Sequence, residues 1–177
     1  MPDIDLRIAN REDEARKEEI ADIVNKVYDE SEGNIWVDDY KRTSKGNILK
    51  IIRDRELLIA TAGEEFYGCI HLQRVNNNTF KFKMLVANPA HTRKGIGSLL
   101  VNFAEEQASK KGATYMQLEL LVPTEFVHPD KVFLHNWYTR IGYQKIAEHD
   151  VDYVHRGISN FLKTGCVAKV YQKNLIS

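Results

Sequence analysis

Arg93, Lys94, Gly95, Ile96, Gly97 and Ser98 set two cations and two glycines between an apolar, strand-like run and a strongly periodic helical one. Glycine lets the backbone come close to a ligand. The orphan N–H groups of a helix start, helped by the positive end of its dipole, bind phosphate. The segment therefore predicts a site for a phosphorylated ligand. A P-loop nucleotide binder needs Lys and a hydroxyl residue after its last glycine, whereas here the Lys comes first. A dinucleotide fold needs G-x-G-x-x-G just after its first strand. Gly95 and Gly97 fit that pattern and Glu119 stands where a ribose-binding acid would, but Leu100 occupies the third position and the loop begins well past Ala87. A plain strand-to-helix turn with surface cations explains Gly95, though not the whole cluster.

The elements that must carry this loop are legible from periodicity. Ile4, Leu6 and Ile8 alternate as a first strand, and Asn10 can cap the helix that follows, with Ile20, Ile23, Val24, Val27 and Tyr28 at helical spacing. Residues 34–43 read as a loop or a short helix. Ser44 can cap a second helix bearing Ile48, Ile51 and Ile52. Leu57–Ala62, Tyr67–Val75 and Phe80–Ala87 read as three strands joined by turns at Gly63–Glu65 and Asn76–Asn78, and such short connections make them antiparallel. Ile96, Leu99, Leu100, Phe103, Ala104 and Ala108 form the apolar stripe of a helix stopped at Gly112, followed by a strand with Met116, Leu118 and Leu120. Pro123–Pro129 is a loop, and Phe133, Leu134, Trp137, Tyr138 and Ile141 mark a helix ended by Gly142. Tyr143–Tyr153 reads as extended chain, Ile158–Lys163 as a short helix and Cys166–Tyr171 as a last strand. The order predicts an α/β fold with a mixed sheet, in which the strands flanking the glycine-loop helix are parallel.

The 177 residues favour one domain spanning 1–177. Lys plus Arg equals Asp plus Glu at 25 each, so no overall field draws the chain to nucleic acid or an acidic membrane. Cys69 and Cys166 lie in apolar runs without metal-binding or redox spacing, which points to buried structural roles and a reducing, cytoplasmic compartment. No basic-then-apolar leader and no apolar run of membrane-span length is present, and no metal site is expected.

Two stretches resemble the GNAT superfamily of N-acetyltransferases. Leu85 to Pro89 followed by Thr92 to Gly97 are similar to its strand and acetyl-CoA pyrophosphate loop, [RQ]-x-x-G-x-[GA]. Asn136 to Tyr143 are similar to its F-Y-x-x-x-G-F segment, and the element order matches over nearly the whole chain. One departure is Thr92, where the family has Arg or Gln; Arg93 can supply the charge, or pyrophosphate affinity falls. The resemblance implies a mostly antiparallel, splayed central sheet with helices on both faces. It also implies that Arg93, Lys94, Gly95, Ile96, Gly97 and Ser98 hold the pyrophosphate, that Leu85, Val86 and Ala87 pair with the pantetheine arm, and that Asn136 contacts the coenzyme.

Acetyl transfer to an amine needs loss of an amine proton, a donor for the carbonyl oxygen and help for the departing thiolate. Direct attack needs no protein nucleophile, and none stands out. Tyr138, which the resemblance also places there, is the candidate acid, since a phenol is protonated at neutral pH; packing beside Trp137 and Ile141 is its alternative. Glu119 is the candidate base, or else a solvated strand residue. His128, His135 and Glu125, around a loop expected to rim the acceptor site, read first as surface residues. Lys81 and Lys83 occupy the strand where some relatives carry a carboxylate. Trp36 and Tyr40 can shape an acceptor pocket or anchor the loop. The reading is an acetyl-CoA-dependent N-acetyltransferase acting on a small-molecule or peptide amine, as a monomer or homodimer. Its alternatives are a non-catalytic acyl-CoA-binding domain and a protein acetyltransferase.

Overall fold

The computed structural model describes residues 2–91 and 95–176. Five helices and seven strands follow the expected order: β1 (Asp5–Ile8), α1 (Lys17–Glu32), α2 (Lys45–Arg53), β2 (Leu57–Ala62), β3 (Glu65–Arg74), β4 (Thr79–Ala87), α3 (Ile96–Lys110), β5 (Tyr115–Pro123), α4 (Pro129–Arg140), β6 (Gln144–Asp150), α5 (Val151–Val154) and β7 (Cys166–Asn174). They form one mixed sheet in the order β1-β2-β3-β4-β5-β7-β6, all pairs antiparallel except β4 with β5.

Local signals account for the helix starts. The Asn10 side chain accepts from Glu12 N–H at 2.9 Å and the Asp13 carboxylate returns to Asn10 N–H at 2.7 Å, closing a capping box ahead of a 3-10 turn that leads into α1. Ser44 caps α2 as expected, accepting from Asn47 N–H at 3.1 Å. Gly112, with φ of 87°, lies just past the end of α3.

Strand alternation divides the core into two layers. On one face Phe80, Phe82, Met116, Leu118 and Tyr171 pack with Leu100, Ala104 and Ala108 of α3 and with Tyr138 of α4. On the other, Ile59, Cys69, Met84 and Val86 pack with Ile20 and Val24 of α1 and Ile48 and Ile52 of α2. The one misplaced element lies beyond β6. The strand stops at Asp150, whose side chain accepts from Asp152 N–H at 2.9 Å and starts the single turn of α5. Residues 34–43 are irregular and tied across to the 3-10 turn at Ile158–Phe161, with Val37 N–H donating to Phe161 O at 2.8 Å. Among the described residues no helix is long and apolar enough to cross a membrane.

Candidate active site

β4 and β5 pair over only three positions, Thr79–Tyr115, Phe80–Met116 and Lys81–Gln117, and then part. On its other edge β4 stays with β3 as far as Ala87 opposite Gly68, but the register slips between Cys69 and His71. Met84 and Leu85 there face Ile70 alone, and Met84 takes a φ of 55°, a left-handed conformation uncommon outside glycine. This is a bulge, and a bulge bends its strand. From Phe82 onward the β5-facing edge of β4 therefore has no strand partner, leaving backbone donors and acceptors for a ligand that carries amides.

Between the parted strands lies a cavity of about 360 Å³, walled by β4 at Phe82–Leu85 and by β5 at Leu118–Leu121. Helix α4 sets Tyr138 into its wall. Tyr138 is only 4% exposed, its ring packed on Phe82, Trp137 and Tyr143 at centroid distances of 5.9, 4.9 and 5.8 Å. Among the described residues its hydroxyl has no hydrogen-bond partner, yet it is not sealed in as the Tyr143 hydroxyl is, so it opens on the cavity. Burial pushes the Tyr138 phenol well above its ordinary value, so it keeps its proton at every physiological pH.

Glu119 alternates on β5 with buried Leu118 and Leu120 and also lines the cavity. Its Oε2 lies 2.9 Å from Nε2 of His155. An ionised carboxylate can only accept, so Nε2 carries the proton and Nδ1 of the neutral ring is the acceptor. The His155 hydrogen bond is the main cause holding the Glu119 carboxyl below its ordinary range; burial opposes it, and Lys81 and Lys83 reinforce it. His155 escaped the sequence reading. It is brought beside Glu119 by the turn at Asp150 and by β7 lying between β5 and β6, neither of which leaves a spacing signal.

The loop after β4 ends at Gly95, whose φ of 92° makes it the left-handed N-cap of α3. Leu99 N–H is the first to close back, onto Gly95 O at 2.9 Å, so the N–H groups of Ile96, Gly97 and Ser98 have no intrahelical partner. Ile96 is buried and anchors the turn. A Cβ built on Gly97 would meet Trp137 at 3.5 Å, which sets the start of α3 beside α4. Thr92, Arg93 and Lys94 lie outside the described residues. Leu85 is half-buried in the cavity wall, Val86 is buried against the α1–α2 layer, and Ala87 is exposed at the strand end. Asn136 is exposed on α4 next to Trp137 and does not line the cavity.

The acceptor side differs from expectation. Trp36 and Tyr40 do line the cavity, stacked at 4.1 Å and 7°. His128, His135 and Glu125 do not. His128 Nε2 is 3.0 Å from Ser31 O, His135 Nδ1 is 2.7 Å from the Tyr171 hydroxyl, and Glu125 accepts from Thr164 Oγ1 at 3.2 Å. The expected rim at Pro123–Pro129 gives way to Val151, His155 and Ile158, while the loop is tied instead to Ser31 through His128 and to Thr164 and Gly165 through Glu125 and Thr124. Among the described residues no cluster of His, Cys, Asp or Glu could hold a metal ion.

A family model described as an acetyltransferase (GNAT) domain matches residues 53–145, more than half of the chain. No curated protein matches the sequence. Solved structures share the fold. The PaiA N-acetyltransferase from Thermoplasma acidophilum, in complex with coenzyme A, is 20% identical with a TM-score of 0.69, covering 97% of this chain and 99% of that one. The aminoglycoside 6'-N-acetyltransferase from Enterococcus faecium is 16% identical, TM-score 0.69, covering 98% of each chain. Ard1 from Thermoplasma volcanium is 14% identical, TM-score 0.69, covering 98% of this chain and 99% of that one.

Proposed function

The chain belongs to the GNAT acetyltransferase family, and from that premise we propose that it is a single-domain, cytoplasmic N-acetyltransferase using acetyl-CoA to acetylate a primary amine of a small molecule or peptide. The observation that carries this reading is the parting of β4 from β5 around a cavity with Tyr138 in its wall. The residues fit the cosubstrate. The N–H groups of Ile96, Gly97 and Ser98, which have no intrahelical partner among the described residues, suit a pyrophosphate, with Arg93, Lys94 and Asn136 as further contacts. The partnerless edge of β4 at Leu85, Val86 and Ala87 suits an amide-bearing arm.

Bound acetyl-CoA supplies the activated acetyl group. Tyr138 keeps its proton on the phenol oxygen, shielded from bulk water, and delivers it to the departing sulfur. The Glu119–His155 pair takes the amine proton. Glu119 fixes the ring tautomer, and the exposed Nδ1 of His155 or the carboxylate itself receives the proton at the cavity mouth. The aromatic stack of Trp36 and Tyr40 covers the acceptor from the α1 side.

A thermal-shift panel with acetyl-CoA, coenzyme A, NAD and ATP, followed by an assay of thiol release with an amine pool, tests this. Ligand at a hundred times its dissociation constant adds about 2.7 kcal/mol, or roughly 5–11 °C for a chain this size. Stabilisation by acetyl-CoA and coenzyme A with thiol release is the expected result. A shift with NAD or ATP instead overturns the reading, and binding without release leaves a sensing domain.

A further inference from the structure

The whole chain carries no net charge, but the cavity does. Four cations line it, Arg42, Lys81, Lys83 and Lys131, against two carboxylates, Glu32 and Glu119. Both carboxylates are engaged. Glu32 forms a buried pair with Lys131 and accepts from Trp36 Nε1 at 2.8 Å, and Glu119 is held by His155. Glu56, whose charge also acts on Lys83, is taken by His71 at 2.8 Å. Arg42, Lys81 and Lys83 are thus left facing the cavity with no ion pair to a carboxylate among the described residues.

These cations are not placed for the coenzyme phosphates. Phe80 and Phe82 point to the α3 layer, so the alternate residues Lys81 and Lys83 point to the opposite face, and no residue of the α3 first turn lines the cavity. The arrangement is costly as it stands. Burial lowers the Lys83 ammonium below its ordinary value, and repulsion from Lys81 and Arg42 lowers it further. A negative group seated among the three would relieve that repulsion, and the Arg42 fork can hold a carboxylate through two hydrogen bonds.

We infer that the acceptor is a small primary amine that also carries a carboxylate, of the amino-acid class, its carboxylate held by Arg42, Lys81 and Lys83 while its amine faces Glu119 and His155. The inference rests on the acetyltransferase reading and names the substrate class of that site.

The test compares α-amino acids with their own α-amides, and with spermidine, as acceptors at saturating acetyl-CoA. The expected result is a kcat/KM for the best acid at least about tenfold above its amide, the scale of a hydrogen bond to a charged group. Lys83→Met and Arg42→Met should raise the KM for the acid and shrink the acid-to-amide ratio, while coenzyme A still stabilises both variants as it does the parent. Equal or better use of amides or spermidine overturns the inference. So does an acid-to-amide ratio unchanged in both variants, or failure of every acid to be acetylated while another amine is. Absence of a coenzyme A shift together with no thiol release from any amine overturns the acetyltransferase reading as well, which separates the two failures.

Discussion

Gly68 on β3 stands where the β4 strand end and the start of α3 meet. A Cβ there would lie 2.4 Å from the Val86 carbonyl oxygen, 3.1 Å from Ile96 Cγ2 and 3.2 Å from Leu100 Cδ1, where ordinary contact begins at 3.4 Å. The nearest atom is backbone and cannot swing aside. Gly68→Ala must therefore push β4 off β3 or lift the first turn of α3, and either moves the groups assigned to the coenzyme. Overpacking of this kind costs about 1–3 kcal/mol, and the entropy lost from the unfolded chain when Gly becomes Ala returns about 0.4–1 kcal/mol. With a backbone clash the upper half applies, leaving a net loss of about 1–2.6 kcal/mol and a Tm lower by roughly 2–10 °C. Differential scanning calorimetry reads the Tm, and titration calorimetry with coenzyme A should show weaker binding in the same variant. Gly46→Ala is the matched control. A Cβ there meets only Ser44 Oγ at 3.8 Å, so the change should be neutral or stabilising by up to about 1 kcal/mol. A Gly68→Ala protein as stable as the parent, with unchanged coenzyme affinity, would refute the reasoning.

Tyr138→Phe removes a hydroxyl with no partner among the described residues, so the fold and the coenzyme A shift should persist while kcat falls by about tenfold or more; unchanged turnover at saturation takes Tyr138 out of the chemistry. Glu119 titrates below its unperturbed 4.5, so its contribution to stability is complete above that pH and is lost as pH falls through the lower folded value. Acid unfolding of Glu119→Gln should consequently lack that component, and its pH–rate profile should lose the limb set by the Glu119–His155 pair. An identical profile clears Glu119 of proton transfer. Burial pushes the Cys69 thiol up to about 12 and the Cys166 thiol up to about 11. Cys69 is buried but Cys166, expected to be buried too, is only half-buried on β7. A thiol reagent at pH 8 should then react slowly with both, so that free coenzyme A gives the signal; rapid titration of Cys69 in the native protein contradicts its burial.

Much of the scaffold was legible because each element announces itself locally. Asn10 and Ser44 cap their helices through their own side chains, Gly112 ends α3, and the alternation around Met116, Leu118 and Leu120 survives as β5. Gly95 at the start of α3 and Tyr138 on α4 could be placed for the same reason, since the local signals lie within a few neighbouring residues. The rest of the cavity lining could not. His155 meets Glu119 only through strand order, and the cations gather because Lys81 and Lys83 of β4, Arg42 from the loop after α1 and Lys131 of α4 converge on one cavity. The loop at Pro123–Pro129, expected to rim the acceptor site, carries no local signal of where it packs; in space that place belongs to Val151, His155 and Ile158.

The strand order also governs when the cavity can exist. β6 is an edge strand whose only partner among the described residues is β7, and β7 is made after both strands it separates. Until β7 inserts, β6 has nothing to pair with, α5 has no platform, and His155 cannot be brought to Glu119. During synthesis the β1–β4 meander can close early from short-range pairings, whereas the cavity must wait for a late, long-range one. A nascent chain stalled before Cys166 would leave the β7-facing edge of β5 without its partner strand, its backbone N–H and C=O groups unpaired, and would be a natural client for chaperones that hold open strand edges.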